Sequence, residues 1–258
     1  MNKYSQNFYD SVSNRAIQSA QIAANVISGS IEPNSLIDIG SGQGVWLMSI
    51  SKKFNSVSRM VALDLQPHKS SFFDELKQSD TNFEFIEVDF EISKKLPEEN
   101  FDIAICLEVL EHLTAGTAVE VAKEIGRKCS FVIFSAAITG QGGTGHINER
   151  KFTYWMDLMR RQGFVALDVF RPALEKSRDV PGYYKQNMML FWHPKNARKN
   201  GTKFDLEALL EGNTLEVRDI RSNVSKIRYT LLALIPTNIV TGLAKVIDKA
   251  IRKASLEK

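Results

Sequence analysis

Residues 36–44, LIDIGSGQG, constrain the fold more than any other stretch of the chain. An apolar run of strand character carries one acidic residue, Asp38, and opens into a glycine-rich turn ahead of a helical pattern. Gly40, Gly42 and Gly44 have no Cβ, so the backbone there can turn tightly and come close to a ligand. The helix that follows offers unpaired N–H groups to a polar ligand. Three more β-rich runs follow: SRMVALDLQP (58–67) with Asp64, FEFIEVDF (83–90) with Asp89, and FDIAICLEVLEHL (101–113). A fifth is CSFVIFSAA (129–137), and FVALDVF (164–170) and NMMLFWH (187–193) read as the last two. Strands alternating with helical patterns imply βαβ units and a parallel sheet. Such a sheet binds ligands beyond the carboxyl ends of its strands. The expected fold class is therefore α/β and Rossmann-like.

The turn reads GxGxG, not GxGxxG, with Asp38 at the strand end. That pattern resembles motif I of class I S-adenosylmethionine (SAM) methyltransferases more than a dinucleotide-binding turn. The resemblance implies a sheet of seven strands with the last antiparallel, helices on both faces, and SAM as cofactor. Asp64, at the end of the second strand, can accept both hydroxyls of a ribose. Asp89 falls where this family contacts the adenine amino group. Cofactor contacts are expected from Asp38, Gly40, Ser41, Gly42, Gly44, Asp64, Leu65, Asp89, Phe90, Leu107 and Glu108. A lone strand-end aspartate is more simply a helix cap; four strand ends in the family's order favour the cofactor.

A second resemblance lies downstream. FSAAITGQGGTGHINERKFTYWMDLMRRQGF, with RPAL and VPGYYKQNMMLF, is similar to a bacterial group of SAM methyltransferases carrying FSAAxPGQGGTGHxNEQ and a YW-containing helix. Members of that group often serve surface-polysaccharide and glycan biosynthesis, which implies a sugar or glycolipid acceptor. Two positions depart from the pattern: Thr139 replaces proline, and Gly182–Tyr183 replace an aromatic pair.

A hydroxyl acceptor needs a general base or a cation to lose its proton. Glu108, Glu111 and His112 have i, i+3, i+4 spacing, which places all three on one face if 108–113 is a helical turn. Two carboxylates and an imidazole suit a divalent cation such as Mg2+ or Mn2+. The arrangement looks like that of metal-assisted ubiquinone-pathway and small-RNA 2′-O-methyltransferases, in which a later histidine completes the set; His146 has the comparable position. Three readings stand: a metal quartet of Glu108, Glu111, His112 and His146; His146 as a metal-free base beside His112; or capping residues that line the pocket. Glu149 could orient His146 or cap the next helix, and the cap is the preferred reading. His68 reads as solvated, and His193 and Trp155 as structural. Tyr183 and Tyr184 are candidates for a sugar-binding floor, and Arg171 for a phosphate clamp.

The bulk properties limit the partners. Nine Lys/Arg against four Asp/Glu lie in residues 214–258, a surplus of five against a whole-chain charge of +3, so the rest carries −2. The domain is thus slightly acidic, which argues against nucleic acid. Cys106 and Cys129 sit in apolar runs and read as buried free thiols of a reducing compartment. With no apolar signal core at the N-terminus, the expected location is the cytoplasm. The expected organisation is a methyltransferase domain over 1–195, with helix 11–29 as a lid. A linker and a helix-rich basic tail would follow over 196–258. Residues 229–244 carry no charge but contain Pro236 and Gly242, so they make a poor membrane span. The tail fits an interfacial helix on anionic lipid at the inner face of a membrane, a helix packed on the domain, or a homodimer contact. The leading expectation is a sugar-hydroxyl O-methyltransferase. Another small molecule, an RNA 2′-hydroxyl, or an inactive SAM-binding scaffold are the alternatives.

Overall fold

The computed structural model describes residues 6–67, 70–79 and 81–211. His68 and the basic tail over 214–258 lie outside the described residues. A seven-stranded sheet forms the centre, built from β2 (Ser35–Ile39), β3 (Arg59–Asp64), β4 (Asn82–Glu87), β5 (Phe101–Leu107), β6 (Cys129–Ser135), β7 (Val165–Leu167) and β8 (Met189–Trp192). Their spatial order is β4-β3-β2-β5-β6-β8-β7. The first five of these run parallel, and β8 pairs antiparallel with both β6 and β7. Seven strands with an antiparallel one among them fit what the resemblance implied.

β2, β5 and β6 sit in the middle of the sheet and are apolar on both faces. That is why their sequences read as continuous apolar runs and not as alternation. Ile37, Ile39, Val61 and Ala104 face one core, with α4 (Ala115–Lys128) and α5 (Phe152–Arg161) packed over it. Leu36, Ile103, Ile105 and Phe131 face the other, which α1 (Gln6–Ile27) and α2 (Val45–Ser51) cover. Ala20, Ala23, Ala24 and Ile27 are buried on α1, the stripe expected from its spacing. α1 also meets α6 (Arg171–Glu175). Both cysteines are buried and unpaired. Among the described residues no helix is long and apolar enough to cross a membrane.

Two expectations are corrected. The strand over 164–170 stops at Leu167, because Asp168 turns away to pair with Arg171. The linker expected from residue 196 is folded structure up to Leu210: α8 (Pro194–Asn200), β9 (Lys203–Phe204) and α9 (Leu206–Leu210). β9 pairs antiparallel with β1 (Ile31–Glu32). The polar residues that suggested a linker are inward-facing donors. Asn196 Nδ2 donates to the carbonyls of Gly126 and Cys129, and Asn200 Nδ2 to that of Lys128. Asp102, buried at the floor of the sheet, accepts from the backbone of Asn34 and Ser35 and from the hydroxyl of Thr202. His193 caps α8, its Nδ1 accepting from the Asn196 N–H at 3.2 Å, so its structural role stands.

Candidate active site

The cofactor end is built by the turn after β2. Gly40 and Ser41 donate their N–H groups to the Leu63 carbonyl at 2.8 and 2.9 Å, which folds the turn against β3. Asp64 closes the other side, its carboxylate accepting the N–H of Gly42 and of Leu65, each at 2.7 Å. Gly44 caps α2 in the left-handed region, with φ of 80°. A Cβ on Gly40 would lie 2.5 Å from Val109, and one on Gly44 would lie 2.5 Å from the Phe73 ring. At Gly40 and Gly44 the turn therefore has room for backbone alone, and the N–H groups of Gly40, Ser41, Gly42 and Gly44 are bonded within it, to Leu63, Asp64 and Ser41.

Asp38 is buried inside β2. One carboxylate oxygen, Oδ2, has no hydrogen-bond partner. Burial and the neighbouring charge of Asp64 push its carboxyl up to about 8. An orphaned buried acceptor beside a glycine turn, with Asp64 at the mouth, fits a cofactor that brings positive charge and hydroxyl donors, as SAM does. The raised value fixes a pH dependence. The carboxyl binds its proton more tightly folded than unfolded, where 3.8 is its ordinary value. Its stabilising contribution is fully present below about pH 4 and is lost as the pH rises through about 8. In the ligand-free protein, Asp38→Asn is expected to flatten the fall in Tm between those limits in thermal melts.

Leu65 is exposed just past β3, and Leu107 ends β5 half-buried. Asp89 is not a strand end: β4 stops at Glu87. Its Oδ1 accepts the Glu91 N–H at 2.8 Å, which caps the turn that follows. The Phe90 side chain packs into the core. Glu108 has φ of 56°, the one positive value at a non-glycine among the described residues. Strain of this kind concentrates at functional sites. Its carboxylate accepts from Gln141 Nε2 at 2.5 Å, and Gln141 Oε1 accepts from Asn187 Nδ2 at 2.8 Å.

After Glu108, Leu110–His112 form a 3-10 turn. The turn brings Glu111 and His112 together with His146, which lies in the glycine loop between β6 and α5. One potential ligand atom from each lies within 4.8 Å of the others. Glu108 stands outside this trio, held by Gln141. Glu111 is fully buried, and neither of its oxygens makes a hydrogen bond of normal geometry. Burial, and then the adjacent Glu108, raise its carboxyl well above the usual range, although nearby N–H groups of its own backbone and of Ala137 pull the other way. His112 is exposed at the rim, and its imidazole is pushed down by partial burial and by His146. The two imidazole rings meet edge to face, with centroids 4.8 Å apart. His146 Nε2 lies 4.0 Å from Glu111 Oε1.

Several assignments shift with these contacts. Glu149 does not cap α5, whose N-cap is Lys151; its carboxylate binds His146 Nδ1 at 2.9 Å. Arg171 is no phosphate clamp. It is buried in a two-pronged pair with Asp168, its Nη1 donates to the Gln186 carbonyl, and its guanidinium lies over Phe152. On α7 (Gly182–Asn187), Tyr184 is buried and its hydroxyl accepts from Trp46 Nε1 at 3.1 Å. Tyr183 is 36% exposed and remains available at the mouth. Burial, and then the Glu108 charge, push its phenol up to about 12. Trp155 is core, donating to the Ala137 carbonyl. Gln141 and Asn187 were not found from sequence, and the orienting role of Glu149 was the less favoured of its two readings. The His146–Glu149 spacing of three was the one available signal.

Comparison with known proteins agrees with the architecture. Residues 36–130 match the family described as methyltransferase domain. No curated protein matches the chain. Among solved structures, the small RNA methyltransferase HEN1 aligns with a TM-score of 0.52 at 15% identity, over 68% of this chain and 25% of that one. A putative O-methyltransferase from Nostoc punctiforme PCC 73102 aligns with a TM-score of 0.52 at 13% identity, over 70% of this chain and 57% of that one. The alignments thus span a quarter and just over half of those two chains, and at this identity they speak to fold alone. Residues 36–130 thus match a methyltransferase domain, and the sheet and helices around them have the Rossmann-like fold of the aligned methyltransferase structures.

Proposed function

We propose that this SAM-dependent methyltransferase acts on a hydroxyl oxygen of a sugar, in a glycan or glycolipid intermediate, with a divalent cation held by Glu111, His112 and His146. One observation carries the cation: Glu111 is fully buried with two unpartnered oxygens, and two imidazoles stand within ligand reach. A buried carboxylate without partners is costly unless a cation or proton balances it. One carboxylate and two imidazoles suit Mn2+ or a related transition ion better than Mg2+. The exposed ring of Tyr183, on the same side as Glu108, supports a sugar at the mouth. The resemblance of the glycine loop to enzymes of glycan assembly supports the same acceptor.

Bound SAM supplies a methyl group on a sulfonium, with a neutral thioether as leaving group. The chain's own part is to orient and to deprotonate. The glycine turn, Asp38 and Asp64 fix the cofactor. Glu111, His112 and His146 would hold the cation, which would lower the pKa of an acceptor hydroxyl. With cofactor and acceptor bound, the oxygen would take the methyl group as its bond to sulfur breaks, and the hydroxyl proton would pass to solvent.

The test is transfer of labelled methyl from SAM into oligosaccharide, glycolipid and small-RNA fractions. Each would be run as purified, after chelation, and after return of Mn2+ or Mg2+. Label in a glycan fraction, lost on chelation and restored by Mn2+, is the expected result. Glycan label indifferent to chelation would overturn the cation and leave His146 as a base. Label only in RNA would overturn the acceptor.

A further inference from the structure

The glycine loop after β6 folds around a single carboxylate. Glu149 is 2% exposed, and both of its oxygens are occupied. Oε2 accepts the N–H of Gly140 at 2.8 Å. Oε1 accepts the N–H of Gly142 at 2.8 Å and meets His146 Nδ1 at 2.9 Å. Gly143 lies flat on the imidazole: a Cβ there would come within 2.3 Å of His146 Cε1 and Nε2. The ring is therefore clamped by backbone on one face and by a carboxylate at one nitrogen.

An ionised carboxylate only accepts hydrogen bonds. Three polar groups converge on Glu149, and two of them are backbone N–H groups that cannot reverse. We infer that Glu149 is a positioning residue that locks His146 as the Nδ1–H tautomer, so that the Nε2 lone pair points at Glu111 and His112. The rule is general for imidazoles: the partner of one ring nitrogen decides what the other can do. The same loop sets a second group, because Gln141, between the two glycines held by Glu149, donates to Glu108. Glu149 thus fixes in one fold the base-side imidazole and the partner of the strained Glu108. The purpose given to that lone pair rests on the function proposed above, but the tautomer does not.

The experiment uses the full chain with 15N-labelled histidine. Four histidines make the spectrum assignable through single substitutions. In the wild-type protein without added metal, His146 is expected to show a protonated Nδ1 and an unprotonated Nε2. A protonated Nε2 as the main neutral form would overturn the inference, whatever any variant does. In Glu149→Gln, a side-chain N–H faces Nδ1 or the contact is lost, so the Nε2–H form is expected to grow. Turnover should fall by about 10–100-fold, as for other residues that orient an active imidazole. Glu149→Asp keeps the charge, and partial return of the Nδ1–H signal is expected. An unchanged His146 spectrum in Glu149→Gln would also overturn it. A correct tautomer signal with no methyl transfer at all in the wild type would count against the function proposed above and leave the role of Glu149 standing.

Discussion

Replacing His146 by alanine is expected to lower methyl transfer by about 10²–10⁴-fold, the range for losing activation of the acceptor hydroxyl, whether through the cation His146 would hold or through His146 as a base. SAM binding should persist, because the glycine turn, Asp38 and Asp64 lie on other segments and share no hydrogen bond with the imidazole. The ring is nearly buried, and its removal leaves the Glu149 carboxylate with its two glycine donors, so the loop keeps most of its bonds. Equilibrium binding of SAM and initial rates, measured on the same preparation, separate the two effects. Undiminished turnover would remove His146 from both chemical roles considered for it.

The second large effect is on stability. Asp168→Ala is expected to destabilise the protein by about 3–5 kcal/mol, because it strands the buried Arg171 guanidinium without its charge partner. Removing both partners, as Asp168→Leu with Arg171→Met, should cost clearly less, since no lone charge is then buried. Denaturant melts of the single and double variants measure the difference. Equal losses in both would mean that packing against Phe152, not charge, dominates this corner.

The two residues also show where sequence reading succeeds and fails. The parallel sheet was legible because β2, β5 and β6 are apolar along most of their length, Asp38 and Asp102 being the charged exceptions, a pattern that few other arrangements tolerate. The cofactor turn was legible because Gly40, Gly42 and Gly44 recur at fixed spacing after Asp38. Arg171 was misread because an arginine ahead of a proline looks like surface. Its burial depends on Asp168 leaving the strand early, and strand ends are poorly marked in sequence. Tyr183 and Tyr184 are adjacent and alike, and only the short helix α7 decides which one packs on Trp46. Asn196, Asn200 and Thr202 suggested a linker by polarity alone, yet each donates inward to an acceptor that sequence cannot display. Glu149 was assigned to a cap because its real partners depend on a loop whose left-handed glycines, Gly140, Gly142 and Gly145, set its path.

The floor of the sheet bears on how the chain is made. Asp102 is bonded to Asn34 and Ser35 on one side and to Thr202 on the other, and β1 waits for β9. On a ribosome, the glycine turn emerges early, but β9, which pairs with β1 in a separate two-stranded sheet, arrives roughly 160 residues later, at a rate of about 5–20 residues per second. The nascent domain therefore spends several seconds with Asp102 open to water and the cofactor turn already exposed. During those seconds the acid that ends up buried is still solvated, and β1 has no antiparallel partner.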